Sequence, residues 1–297
     1  MKKQYSIFLF FGILILGISF LTPISRAQIS LSLYPTSIRL SLNPGETWSG
    51  IITVINPNTF DLKVNPEKEN LGGGAEGAVE LLGENVSYGL ASWIYYNETQ
   101  LSLKPEERRE FPITISVPKN AQPGGHYAAV LFRGLTSSET QGTGVGISGR
   151  VGSIILVEVS GETSKTGIVE EVIAPKFISH GPLEVGFKIK NTGNTHFSPE
   201  GKIVISGLLQ NKELTWEPRV VFPGYDRTFK TSWDQRYLFG PLTVKITTQI
   251  PGGENLIIDS FTIWAFPWQE FVIIIAVLVV LVVLFRFFKK RFKIVKV

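Results

Sequence analysis

Residues 271–285 form an unbroken run of fifteen apolar side chains, and the chain then turns basic at Arg286, Lys289, Lys290, Arg291, Lys293 and Lys296. With Trp268 before it and Phe287 and Phe288 after it, the run reaches the roughly 20 residues that an α-helix needs to cross a hydrocarbon core of about 30 Å. The pattern predicts a membrane-spanning helix, with its aromatic flank, over residues 264–288 and a basic tail over 289–297. Trp264 and Trp268 fall where indole rings favour the headgroup layer. Arg286, Lys289, Lys290 and Arg291 are cations that the positive-inside rule holds on the cytoplasmic side. A single pass with the preceding residues outside the cell is therefore expected, and the lipid bilayer is the first expected partner.

The other end supports the same topology. Lys2 and Lys3 precede an apolar stretch over 7–20, and Ser25 and Ala27 put small residues at the −3 and −1 positions of a cut before Gln28. That is the layout of a secretory signal peptide over residues 1–27, with an uncleaved anchor as the alternative. Either way the middle of the chain is expected to be exported.

The net charge of +4 misleads, because no acidic residue lies before Gln28 or after Glu270. Between those positions stand 20 basic and 25 acidic residues, so the central region carries −5. A negative region of this kind argues against binding nucleic acid, which requires a basic face. There is no cysteine, so disulfides and thiolate metal sites are excluded, and stability must come from apolar cores.

Over residues 28–263 the apolar period is that of strands. In the segment 109–117, Phe111, Ile113, Ile115 and Val117 share one face while Pro112, Thr114 and Ser116 share the other. Similar short segments lie at 29–34, 37–42, 48–55, 126–133 and 151–159. Asn43-Pro44-Gly45, Gly72-Gly73-Gly74 and Pro123-Gly124-Gly125 supply turns between strands. A second set is expected at 167–174, 183–189, 201–206, 220–222, 228–233, 242–248 and 255–263, beyond a polar seam at 161–165. Many short strands at this spacing predict an all-β fold of two tandem Ig-like β-sandwich domains, over 28–163 and 164–263, followed by the helix.

The halves repeat one another. Val54-Ile55-Asn56 runs into an Asn-rich turn, as Ile189-Lys190-Asn191 does, and Pro105, Arg109 and Phe111 recur at identical spacing as Pro223, Arg227 and Phe229. A turn proline, an outward arginine and an inward phenylalanine would do the same work twice.

Ser92-Trp93-Ile94, the segment 101–107, the segment 111–118 and Ala121-Gln122-Pro123-Gly124-Gly125-His126-Tyr127 resemble the consensus of bacterial Ig-like surface domains. In order and spacing they look most like the amino-terminal domain of WxL-interacting proteins, which are similar in plan: signal peptide, two Ig-like domains, one span and a short basic tail. The resemblance covers nearly the whole chain as architecture but only about residues 30–159 as motif. The second domain departs from the family in its Asn- and Gly-rich turns. The resemblance implies a membrane-anchored binding protein whose partner is an envelope surface protein or peptidoglycan. Two alternatives stand beside it: an envelope glycan-active enzyme with an Ig-like accessory domain, and a strand-exchange assembly chaperone.

No motif for catalysis survives its context. Gly144-Val145-Gly146-Ile147-Ser148-Gly149 matches G-x-G-x-x-G, but it follows a Ser/Thr/Gly loop and precedes a strand, without the helix that would face a pyrophosphate. His126, His180 and His196 lie in different predicted elements, and the adjacent pairs Glu106-Glu107 and Glu170-Glu171 would point to opposite faces of a strand. The expectation is a non-enzyme with no cofactor and no metal. Binding is instead assigned to two places. The long loop 134–149 offers Ser137, Ser138 and Thr140, and the aromatic row offers Tyr95 and Tyr96. In that row Trp93 is expected to be the buried core aromatic, which turns Tyr96 outward, and Tyr127 is expected to be a corner tyrosine bonded to backbone.

Overall fold

The structure is a computed structural model that describes residues 30–291 except 75–76, 84–85, 87, 136–148, 209 and 254. The signal region and the tail beyond Arg291 lie outside the described residues.

Two β-sandwiches follow one another. In the first, β1 (Ser32–Tyr34), β3 (Thr47–Ile55), β8 (Arg108–Ser116) and β6 (Ile94–Tyr95) make one sheet in the order β1-β3-β8-β6. The facing sheet runs from β2 (Ser37–Leu42) through β10 (Arg150–Val159), β9 (Gly124–Leu135) and β4 (Leu62–Gly73) to β5 (Val79–Leu82), with β7 (Leu101–Leu103) on β4. Between them lies a core of Ile52, Val54, Leu62, Leu103, Phe111, Ile113, Phe132, Ile155 and Val157, all at most 1% exposed. Phe111, Ile113 and Ile115 turn inward from β8 as their alternation predicts.

The second sandwich repeats the plan. Its smaller sheet is β11 (Gly167–Ile173), β13 (Leu183–Asn191) and β16 (Asp226–Trp233). Its larger sheet runs β12 (Phe177–Ile178), β18 (Asn255–Ala265), β17 (Gly240–Gln249), β14 (Glu200–Gly207) and β15 (Asn211–Leu214). In both domains the chain's first strand is divided between sheets. β1 and β11 pair antiparallel in one sheet, whereas β2 and β12 pair parallel with the domain's last strand in the other.

The repeated side chains hold equivalent posts. Phe111 lies opposite Ile52 and Phe229 opposite Phe187, and both phenylalanines are buried. Asn56 and Asn191 are wholly buried. The Asn56 amide donates to the carbonyls of Phe60, Leu103 and Lys104, and that of Asn191 to those of Thr195 and Val221. Their backbone N–H groups reach Glu107 and Tyr225, each two residues past the repeated proline. A carboxamide that closes the turn after β3 or β13 satisfies carbonyls that no strand can reach.

Several expectations need correction. β4 has no counterpart in the sequence reading, because Pro66 and the charges at 67–69 hide it. Pro66 is accommodated because β7 pairs only Leu62–Val64 and β5 only Asn70–Gly73, leaving residues 65–69 paired on the β9 side alone. No strand forms at 220–222, where only a single bridge joins Val221 to Phe197. Trp93 is half-buried in a 3-10 turn (Ala91–Trp93) and stacks 4.4 Å from His126, so strand alternation does not govern it. Trp264 belongs to β18, and the helix α1 begins at Trp268 and runs to Arg291. Over Trp268–Lys289 it is long and apolar enough to cross a membrane, with mean hydropathy 3.3 and none of that stretch buried.

Candidate functional site

β9 buries both faces over Gly124–Phe132, although a sandwich core needs only one. The other face is covered by the second domain. Leu71, Tyr127, Ala129, Leu131 and Leu156 of the first sandwich pack with Phe222 of the second, and Tyr88, Ile154, Val220 and Tyr225 close the rim. Tyr127 stands edge-on to Phe222 at 4.7 Å and to His196 at 5.4 Å. Gly125 N–H donates to the Asn194 carbonyl, the Tyr88 and Tyr225 hydroxyls meet at 3.3 Å, and Lys165 pairs with Glu158 at 2.9 Å. The approach depends on glycine. Gly124 has φ +122°, and a Cβ there would stand 2.6 Å from the Asn194 carbonyl oxygen.

This joint is dry enough to move titrations. Burial lowers His196 to about 4, with Arg39 and Lys165 adding to the effect and Glu158 opposing it. Burial, then the neighbouring Tyr225 hydroxyl, raises Tyr88 to about 12. Burial likewise raises Tyr127, whose hydroxyl lies against Thr195 and the His196 backbone but makes no hydrogen bond of good geometry. The backbone-bonded corner role expected for Tyr127 is thus corrected: it is the hub of the interdomain contact. A shallow cleft of about 370 Å³ opens at the rim between Gln122, Pro123, His126, Asn194 and Gly224.

A second feature lies at the other end of β10. β9 pairs with all of Arg150–Val159, but β2 reaches only Ile154–Val159, so Arg150–Ser153 has one strand neighbour. Val151 packs against the core, and the Ser153 hydroxyl is buried without a partner. Arg150 anchors the outer face through Glu67 at 2.7 Å and through Glu69, and Arg133 joins Glu67 at 3.1 Å. Arg150 is exposed and Val151 and Gly152 are partly exposed, whereas Ser153 is fully buried, so the edge without a second paired strand is three residues long.

Of the residues expected to bind, Ser137, Ser138 and Thr140 lie outside the described residues. Tyr95 is exposed, but Tyr96 turns in against Phe111 at 5.2 Å, opposite to expectation. The outward turn of Tyr96 rested on strand alternation from Trp93, and the 3-10 turn breaks that register. Lys68 lies 5.5 and 5.9 Å from the two rings and donates to the Ile94 carbonyl, covering part of the row. Trp264, in β18, and Trp268, at the start of α1, are both exposed, while Arg286, Lys289, Lys290 and Arg291 fall in the last turns of α1. Among the described residues no three His, Asp or Glu side chains gather as a metal site. The joint and the half-open edge were not foreseen. The one available signal was the segment 124–132, whose apolar and small residues leave no polar face.

No protein-family model matches the sequence, and no curated protein does. Solved structures align with it at low similarity. A class 5 fimbriae chaperone, CfaA, is 11% identical, with a TM-score of 0.41 over 77% of this chain and 98% of its own. The YadV chaperone is 8% identical, with a TM-score of 0.42 over 78% and 99%. A complex of a chaperone with a tip adhesion subunit, CsuC-CsuE, from Csu pili of Acinetobacter baumannii gives 12% identity and a TM-score of 0.40 over 80% and 99%. At these values the likeness carries no argument about this chain.

Proposed function

We propose that the chain is a membrane-tethered protein-binding module of the cell envelope. Its two sandwiches act as one rigid body at the outer face of a membrane, and they take an extended segment of a protein partner by strand addition. The observation that carries this reading is the start of β10, where Arg150–Gly152 is at least partly exposed and lacks a paired strand on the β2 side. An added strand would gain main-chain hydrogen bonds there, and side chains at alternate positions would set its specificity. The tether is α1, whose described apolar length of 22 residues corresponds to about 33 Å of helix, enough to span. The envelope adaptor and the assembly chaperone both use such an edge. They differ in release, since an adaptor holds its partner at the membrane and a chaperone hands it on. Peptidoglycan is the weaker reading, because the aromatic row is reduced to Tyr95 alone on the surface.

The test uses the full chain in its own membrane. A photocrosslinking side chain at Arg150 is expected to capture a discrete envelope protein, and the same group at Tyr95 is not. Equal capture at both positions, or glycan alone at Arg150, would reject strand addition.

A further inference from the structure

At the end where the second sandwich meets α1, strand register sets an apolar row. Trp264 of β18 pairs with Phe177 of β12 on one side and with Pro241 of β17 on the other. Leu208 follows Gly207 of β14, which pairs with Leu242, so it falls level with Pro241. Strands lie about 4.8 Å apart, so these four positions extend roughly 14 Å across the sheet. All four are exposed, Leu208 at 88%, whereas Leu242, Ile263 and Ala265 next to them are buried. Phe177, Trp264 and Pro241 therefore occupy the outer face of the larger sheet, and Leu208 stands at the turn beside them.

Polarity on that face rises with distance from the helix. Two residues further along the same strands, Thr262, Thr243 and Ser206 pair in register, and Lys245 comes next on β17. Among the described residues six large apolar side chains stand exposed on the second sandwich, and of these only Ile168 lies at the far end, where β11 begins. Phe177, Leu208, Tyr237, Trp264 and Phe266 all lie toward α1. Exposed apolar surface sorted to one end in this way marks a contact.

The mount of the helix identifies what makes that contact. Only Phe266 and Pro267 separate β18 from α1, so Ala265 and Trp268 stand no more than about 11 Å apart. The join is also braced. The Phe266 ring packs 4.6 Å from that of Phe271, and His180 Nε2 meets Glu270 Oε1 at 2.5 Å. The loops carrying His180 and Arg236 thus reach the first turns of α1, where they border Glu270 and Ile273. Ile273 lies five residues, or about 7 Å of helix, beyond Trp268. Because the apolar length of α1 only just exceeds a hydrocarbon core of about 30 Å, its first turns fall at the boundary of that core. Protein loops held at this level meet the headgroup layer.

We infer that this end of the second sandwich is a membrane-docking surface, with Phe177, Trp264, Pro241 and Leu208 resting in the interfacial layer of the bilayer that α1 crosses. Aromatic rings favour that layer, and apolar side chains there sink to the acyl boundary. The hydroxyl row of Thr262, Thr243 and Ser206 then lies among the headgroups. Lys176, exposed next to Phe177, extends its ammonium to the phosphates. Docking of this kind fixes the tilt of the sandwich, which a lone helix would leave free. The assignment rests on the span proposed above.

The experiment separates the two claims. The chain has no cysteine, so a spin label can be introduced at one site at a time. Full-length chain is placed in vesicles of phosphatidylcholine and phosphatidylglycerol, and each label is read for collision with oxygen, which concentrates in lipid, and with a water-soluble nickel chelate. Labels at Leu208→Cys and Phe177→Cys are expected to give an oxygen-to-nickel ratio several-fold above that at Ile168→Cys, which is exposed at the far end. Val279→Cys, in mid-helix, should give the highest ratio. If Val279 is in lipid but the ratio at Leu208 or Phe177 is no higher than at Ile168, docking is overturned and the span stands. A label at Leu208 shielded from both reagents reveals a protein cover and likewise overturns it. A label at Val279 that collides freely with the nickel chelate removes both claims.

Discussion

His196 presents its ring edge-on to Tyr127 across the boundary between the sandwiches, with 5.4 Å between centroids and planes at 84°. Neither the Tyr127 hydroxyl nor His196 Nδ1 has a hydrogen-bond partner, so the contact is held by packing while its polar atoms stay unsatisfied.

That arrangement makes the joint sensitive to acid. The folded pKa of His196, about 4, lies below its ordinary 6.5, so the unfolded chain binds the proton first. Stability is therefore constant above pH 6.5, falls as pH drops from about 6.5 to about 4, and levels off below. The full loss is on the order of 3 kcal/mol. Burial lowers His126 as well, which gives the same sign. Urea unfolding at pH 7.5, 6 and 5 should show the slope, and His196→Phe should reduce it.

Tyr127→Phe removes a buried hydroxyl that bonds to nothing and should leave the melting temperature unchanged or raise it. Tyr127→Ala opens a void in the joint and should cost about 3–5 kcal/mol, as large aromatic truncations do. Calorimetry is expected to show one cooperative transition in the parent and two in the alanine variant.

Gly124→Ala should act on the joint alone. Its new Cβ meets the Asn194 carbonyl, and its φ of +122° disfavours any side chain. Limited proteolysis near residues 160–166 is expected to speed up, while the core of each sandwich remains protected.

Asn56→Ala and Asn191→Ala should each cost about 2–4 kcal/mol, because each bares two or more buried carbonyls. Arg150→Ala, by contrast, should change stability by less than about 1 kcal/mol, since its ion pairs are more than one-third exposed on the arginine side. Denaturant midpoints of the three variants provide the comparison.

The sandwich pattern was legible wherever one face is polar, as in β8, where alternation reads directly. It was illegible where both faces are buried or paired unevenly. β9 offers no polar face because Phe222 and Tyr225 cover it, and β4 carries Pro66 in a one-sided gap that a linear reading takes for a break. The Asn56 and Asn191 turns were visible as repeats, but their buried carboxamides depend on carbonyls up to 48 residues away in sequence. Tyr96 was misassigned because a single 3-10 turn shifts the register of everything after it. The joint combines residues from distant segments and leaves almost no local trace.

The parallel pairing of β12 with β18 has a mechanical meaning. A pull on the first sandwich enters the second through its leading strand and leaves through the end of β18, two residues before α1. Because those strands run in the same direction, the load shears their hydrogen bonds together instead of peeling them one by one. In the tethered arrangement proposed above, tension between a captured partner and the bilayer would load this two-residue ladder in shear.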